Sequence, residues 1–201
     1  MPVTRGFVGH RRPIDPRLPP GQSDVGGGFP VLTAEVAPTI DTATWTMSVD
    51  GLVDRPTSWS WDEIRALPGS DYVGDIHCVT TWSKFDTTFG GVSVDVLLDA
   101  AGPQSDAAFV LATSVTGYTT NLPLADIRAG KAWIVWSHEG QPLPVVHGGP
   151  IRMLVPQLYF WKSAKWISRI TLLAEDQPGF WEQNGYHLRG DPWKEQRYTG
   201  D

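Results

Sequence analysis

Cys78 is the only cysteine among 201 residues. It cannot close an internal disulfide, so it is a packing residue, a nucleophile or a soft metal ligand. It stands in Asp75-Ile76-His77-Cys78-Val79-Thr80-Thr81-Trp82, where an extended apolar stretch ends. Adjacent strand residues point to opposite faces, so His77 is badly placed to serve as base for Cys78. A distant histidine keeps a thiol-enzyme reading open. His10, His77, His138, His147 and His187 are too scattered for a structural zinc site.

A second constellation is His147-Gly148-Gly149-Pro150-Ile151-Arg152-Met153-Leu154-Val155-Pro156, followed by Lys162-Ser163-Ala164-Lys165-Trp166. A glycine turn frees backbone N–H groups, Arg152 supplies a planar fork, and Lys165 adds a point charge. That combination suits an anion of the phosphate type. A hairpin with solvated cations would satisfy the same spacing. Gly26-Gly27-Gly28 is not a dinucleotide fingerprint, because no strand precedes it and no helix follows. The chain holds no Walker loop and no CxxCH haem-attachment motif.

Taken in order, these features resemble the molybdopterin-dependent sulfite oxidase family. The carriers are a lone cysteine after a strand, then His-Gly-x-Pro-x-Arg-x-x-Val-Pro, then Lys-Trp after a short gap. Glu139-Gly140-Gln141-Pro142-Leu143-Pro144 is similar to the family's lead-in to the second motif. Cys-Val-x-x-Trp-Ser at residues 78 to 83 is similar to bacterial methionine sulfoxide reductase catalytic subunits. The resemblance covers most of residues 25 to 190. It implies an α+β domain of the sulfite oxidase fold over 25–201, preceded by an extended arm over 1–24. It implies one molybdenum-molybdopterin, with Cys78 as the thiolate ligand of the metal and no haem. Arg152 and His147 would bind the pterin, with Ser163, Ala164 and Lys165 completing that pocket. Phe29 and Pro30 align with the family's first cofactor-contacting segment, and Thr113 or Ser114 with another. Tyr186, five residues after Trp181, matches the spacing of the family's catalytic tyrosine.

The departures shape the expected substrate. Sulfite oxidases hold one arginine about where Gly26 stands and another where this chain has Trp82 and Ser83. Without them sulfite should bind poorly, unless Arg189, Lys84 or an N-terminal arginine substitutes. Reduction of an uncharged S-oxide or N-oxide by oxo transfer is the expectation. Sulfite oxidation with substituted anion-binding residues, a metal-free cysteine enzyme and a molybdopterin storage module are the alternatives. Electrons would come from a separate electron-transfer protein.

The supporting elements follow from pattern. The formal net charge of −6 argues against nucleic acid as a partner. No apolar run reaches the ~20 residues of a transmembrane helix. Residues 1 to 22 lack the apolar core of a secretory signal, and an unpaired cysteine suits a reducing cytoplasm. Seventeen prolines and twenty-one glycines point to short strands and many turns. Strands are expected at 45–49, 58–61, 72–79, 109–112, 132–136, 151–155 and 166–173. Short helices are expected at 61–67 and 93–101, and a helical turn over 121–127. Gly90-Gly91 reads as a turn.

Overall fold

The computed structural model describes residues 15–201. The arginines at positions 5, 11 and 12, and most of the arm, lie outside the described residues. In chain order the elements are β1 (Ser23–Asp24), β2 (Thr46–Gly51), β3 (Thr57–Ser60), α1 (Trp61–Ala66), β4 (Gly69–His77), β5 (Trp82–Ser93) and α2 (Val94–Ala101). There follow β6 (Phe109–Ser114), β7 (Thr119–Pro123), β8 (Trp133–His138), β9 (Gln141–Pro142), β10 (Arg152–Leu154), β11 (Ile167–Leu173) and α3 (Phe180–Gln183). The strands form two mixed sheets with short helices between them, as α+β patterning implied.

One sheet runs β3-β2-β11-β6-β7. The other runs β1-β5-β8-β10, with β4 on β5 and β9 on β8. Met47 and Val49 alternate with more exposed neighbours on β2 and point into the main core, with Ile170 and Leu172 of β11. α1 starts where Ser60 and Glu63 form a reciprocal capping box, and it stops before Pro68. α2 is capped by Ser93 and closed by Gly102 in the left-handed conformation. A second apolar cluster, including Ile76, Cys78, Trp82, Phe89, Leu154, Tyr159 and Trp161, surrounds the end of β4.

Two expectations change. Gly90-Gly91 is not a turn but the middle of β5, at a register shift against β8. A Cβ on Gly91 would stand 2.0 Å from the Ile134 carbonyl oxygen, so the glycine serves close backbone approach rather than reversal. Residues 119–123 form β7, paired with β6, and only Leu124–Asp126 makes a helical turn. In the N-terminal segment Ser23 and Asp24 join a sheet, pairing in parallel with Trp82 and Ser83.

Candidate functional site

β4 ends at His77, and Cys78 opens a tight turn. The Thr81 N–H donates to the Cys78 carbonyl at 3.0 Å, and the Cys78 N–H donates to the Trp82 carbonyl at 2.8 Å. Cys78 is 7% exposed, and its Sγ lies 3.2 Å from Thr80 Oγ1. Burial pushes its pKa up, against the Thr80 hydrogen bond and the positive charge of Arg197. A thiol held protonated is a poor free nucleophile. Coordination to a metal removes that proton outright. His77 points away, pairing with Ser83 Oγ at 2.8 Å and lining a separate cavity with Asp75 and Trp193. The base required for a Cys78–His77 thiol enzyme is therefore on the wrong side.

Cys78 lines a cavity of about 240 Å³ with Arg152, Ser163, Ala164 and Lys165. Arg152 is 1% exposed. Its guanidinium donates to the carbonyls of His147 at 2.7 Å, Ser163 at 2.6 Å and Met153 at 3.2 Å, and stacks over Phe160 at 4.1 Å. All these partners are neutral, and burial pushes its pKa down to about 9. A buried cation without a counter-charge calls for an anion. Lys165 donates to the carbonyls of Leu32 at 2.9 Å and Val146 at 2.7 Å, and burial with Arg152 nearby lowers its pKa to about 8. Gly148, at φ +103°, lets the 147–150 turn press on both: a Cβ there would meet Lys165 Cβ at 3.0 Å and Arg152 Cβ at 3.1 Å. The donor set, a soft sulfur at one part of the cavity and two cations at another, fits a molybdopterin. Among the described residues no three His, Cys, Asp or Glu side chains cluster around an ion, so a metal at Cys78 would take its other ligands from the cofactor.

The other walls are aromatic. Tyr118, Phe160, Trp161, Trp181 and Tyr186 line the cavity, with Leu32 to Glu35 at its edge. Tyr186 stacks on Trp181 with centroids 4.8 Å apart and meets Trp161 edge-on at 5.0 Å. Burial raises its pKa, so the hydroxyl stays a donor. A larger cavity of about 680 Å³ between α1 and the 140–150 segment holds Trp61, Arg65 and Trp136, but Arg65 is its only charged side chain.

The remaining expected residues stand at different depths. His147 stacks flat on Phe29 at 3.8 Å, and burial beside Arg152 and Lys165 lowers its pKa to about 4, leaving it neutral. Neither it nor Phe29 and Pro30 line the cavity itself. Thr113 and Ser114 also lie outside it. The Thr113 carbonyl accepts from Ser168 Oγ, whereas Ser114 reaches the site indirectly by donating its hydroxyl to the Lys165 carbonyl. The Ser163 hydroxyl accepts from the Val155 N–H at 2.9 Å, so its carbonyl faces Arg152 instead. Thr80 was missed, although its place two residues after Cys78 in a turn was a usable signal. Tyr118 was missed for want of any signal: its hydroxyl reaches the Trp161 carbonyl across 43 residues, at 2.7 Å.

Among the described residues, no candidate for replacing the missing arginines lines the cavity, and two are held by carboxylates. Arg189 is held by Asp126 at 2.8 and 3.0 Å. Arg17 is held by Asp75 and Asp86. Lys84 is buried on β5 near His138 and does not line the cavity.

Residues 34–181 match the oxidoreductase molybdopterin binding domain family, and the chain belongs to it. It is an oxidoreductase domain that binds molybdopterin. An uncharacterized oxidoreductase of Bacillus subtilis, YuiH, is 45% identical over 92% of this chain and 93% of its own. A putative protein-methionine-sulfoxide reductase subunit of Azospira oryzae, YedZ1, is 30% identical over 75% of this chain. The catalytic subunit MsrP of a protein-methionine-sulfoxide reductase from Ralstonia nicotianae is 26% identical over 74%. The chain spans 57% and 49% of the lengths of those last two. In fold it is similar to the sulfane dehydrogenase SoxCD of Paracoccus pantotrophus, with a TM-score of 0.64, 17% identity, and coverage of 70% of this chain and 41% of that one. No helix among the described residues is long and apolar enough to cross a membrane.

The Arg152 environment sets a measurable expectation. A charge-assisted hydrogen bond contributes roughly 1.5 to 3 kcal/mol. Arg152→Ala should therefore weaken cofactor retention about tenfold or more, and Lys165→Ala somewhat less. Pterin extracted from purified protein is the readout, and unchanged content in Arg152→Ala would move the anion site elsewhere.

Proposed function

We propose that this protein reduces an uncharged S-oxide by two-electron oxo transfer at a molybdopterin whose metal is held by Cys78. The observation that carries this reading is that Cys78, Arg152 and Lys165 line one cavity together with five aromatic side chains, with Leu32 to Glu35 completing its wall. Cys78 would contribute the thiolate, and the Arg152–Lys165 side the cations for the phosphate. A molybdopterin held there would supply two-electron oxo-transfer chemistry. The protein's share is to exclude water with Phe160, Trp161 and Trp181, and to offer the Tyr186 hydroxyl as a fixed donor. Electrons would be delivered by a separate carrier protein, and we place the protein in the cytoplasm, which cell fractionation would check. The similarity to the two proteins named as sulfoxide reductase subunits supports the choice of an S-oxide. So does the engagement of Arg17 and Arg189 with carboxylates, which leaves neither to bind sulfite.

Steady-state assays with methionine sulfoxide, dimethyl sulfoxide and sulfite test the assignment, alongside molybdenum content. S-oxide reduction should exceed sulfite oxidation in kcat/KM on the order of a hundredfold, the scale of two missing charge-assisted contacts. Efficient sulfite oxidation at micromolar substrate would overturn the substrate class.

Tyr186→Phe keeps the stacked ring and deletes only the donor. Molybdenum and pterin content should stay unchanged, while turnover slows on the order of ten- to a thousandfold. Wild-type kinetics on a reducible S-oxide would make Tyr186 a packing residue.

A further inference from the structure

Two side chains outside the family-matched span of 34–181 converge on the turn that carries Cys78. From the N-terminal segment, Gln22 Nε2 donates to the Cys78 carbonyl at 3.0 Å. From the C-terminal segment, Arg197 Nη1 donates to the Val79 carbonyl at 2.6 Å. The same guanidinium donates through Nη2 to the Pro20 carbonyl at 3.2 Å, so it ties the two terminal segments together over the turn. Its face lies over the Tyr159 ring at 5.0 Å.

The N-terminal segment around Pro20 to Val25 forms a strap that is held along its path as well. Ser23 N–H donates to the Thr81 carbonyl and Val25 N–H to the Ser83 carbonyl, both at 2.9 Å, which aligns the strap with the turn's exit. Gln22 is buried, and its Oε1 accepts from Ser83 Oγ at 3.4 Å. Farther out, Arg17 pins the segment to Asp75 and Asp86 on the β4–β5 hairpin, at 2.9 and 2.7 Å. Thr81, a β-branched residue, sits at φ +72° within this turn. That conformation is disfavoured for its type and persists only where surrounding bonds fix it. Gln22 and Arg197 supply such bonds to two successive carbonyls.

We propose that Gln22 and Arg197 are positioning residues that fix the Cys78 turn so that its sulfur meets the cofactor metal in one geometry. The inference rests on the reading of Cys78 as the metal's thiolate ligand. Neither residue touches the reacting atoms; each hydrogen-bonds the backbone of residue 78 or 79, and Arg197 also places a positive charge near the thiol. A displacement of about 1 Å in a reacting group can cost on the order of a hundredfold in rate. Loss of either bond should therefore appear in kcat and in the metal–sulfur bond, and leave substrate binding nearly unchanged.

The test uses the cofactor-loaded full chain as Gln22→Leu, Arg197→Gln and Arg197→Lys, beside Cys78→Ala. The readouts are the sulfur-to-metal charge-transfer absorption, pterin content, and kcat and KM for methionine sulfoxide. Gln22→Leu and Arg197→Gln should shift the absorption and lower kcat about ten- to a hundredfold, with KM within about twofold and pterin retained. Arg197→Lys, which keeps one donor, should recover part of both. Should Gln22→Leu fail to fold, Gln22→Asn shortens the reach, keeps the amide and is read in the same way. Unchanged absorption and kcat in the Gln22 and Arg197 variants, with absorption lost in Cys78→Ala, would overturn the positioning role and leave the ligand standing. Unchanged absorption in Cys78→Ala would overturn the ligand assignment and the positioning role with it.

Discussion

Cys78→Ala is expected to fold, to retain pterin and to lose turnover by more than about a thousandfold. Residues that merely support metal ligands account for ten- to a hundredfold in affinity or activity, and a direct ligand should exceed them. The sulfur is nearly enclosed, with Thr80 Oγ1 beside it and no general base within the Cys78–Thr81 turn. Its removal takes away the one thiolate donor in the chain, since Cys78 is the only cysteine. Pterin should remain, because its cations come from Arg152 and Lys165 on other elements. Cys78→Ser separates two readings of the residue. A serine oxygen is small enough to fit but hard, so packing would be kept while metal-centred turnover falls. Turnover of a reducible S-oxide, measured together with molybdenum and pterin content, decides. Full turnover in a folded Cys78→Ala protein would sink the ligand assignment.

The motifs legible in the sequence were those that act over short distances. Cys78 at the close of a strand and the run from His147 to Lys165 are each compact, and the resemblance joined them before any contact between them was visible. α1 and α2 were legible because their caps, Ser60 with Glu63 and Ser93 with Gly102, are local chemistry. β5 was hidden because Gly90-Gly91 serves a close backbone approach that only the neighbouring strand reveals. Most of the aromatic wall was illegible for a related reason. Tyr186 was legible through its spacing after Trp181, but Tyr118, Phe160, Trp161 and Trp181 have no periodicity that distinguishes cavity lining from core. The deepest hidden feature is Lys162. Nothing in the sequence sets it apart from Lys165 three residues on, yet it is buried in an ion pair.

That ion pair is where the largest stability effect is expected. Lys162 Nζ and Glu182 Oε1 are 2.6 Å apart, and both side chains are fully buried. The ammonium also donates to Asn121 Oδ1 and to the carbonyls of Asn121 and Leu188. Glu182 Oε1 accepts from Trp161 Nε1 at 2.8 Å and from Thr120 Oγ1 at 3.2 Å, while its Oε2 has no partner. Burial lowers the Lys162 pKa, and the Glu182 charge opposes that. Glu182→Gln keeps the shape but leaves the ammonium buried without its counter-charge. Breaking one side of such a pair costs about 3 to 5 kcal/mol. For a domain of this size, that lowers Tm by roughly 6 to 20 °C. Lys162→Met combined with Glu182→Gln removes both charges and should be less destabilising than Glu182→Gln alone, because no bare charge remains. The pair also holds α3 and Trp161, which pack on Tyr186, so turnover of Glu182→Gln should fall at temperatures where it is still folded. Thermal unfolding of the three proteins, followed by circular dichroism, is the measurement. A Glu182→Gln Tm within about 2 °C of the parent would show that the buried charges are not coupled as described.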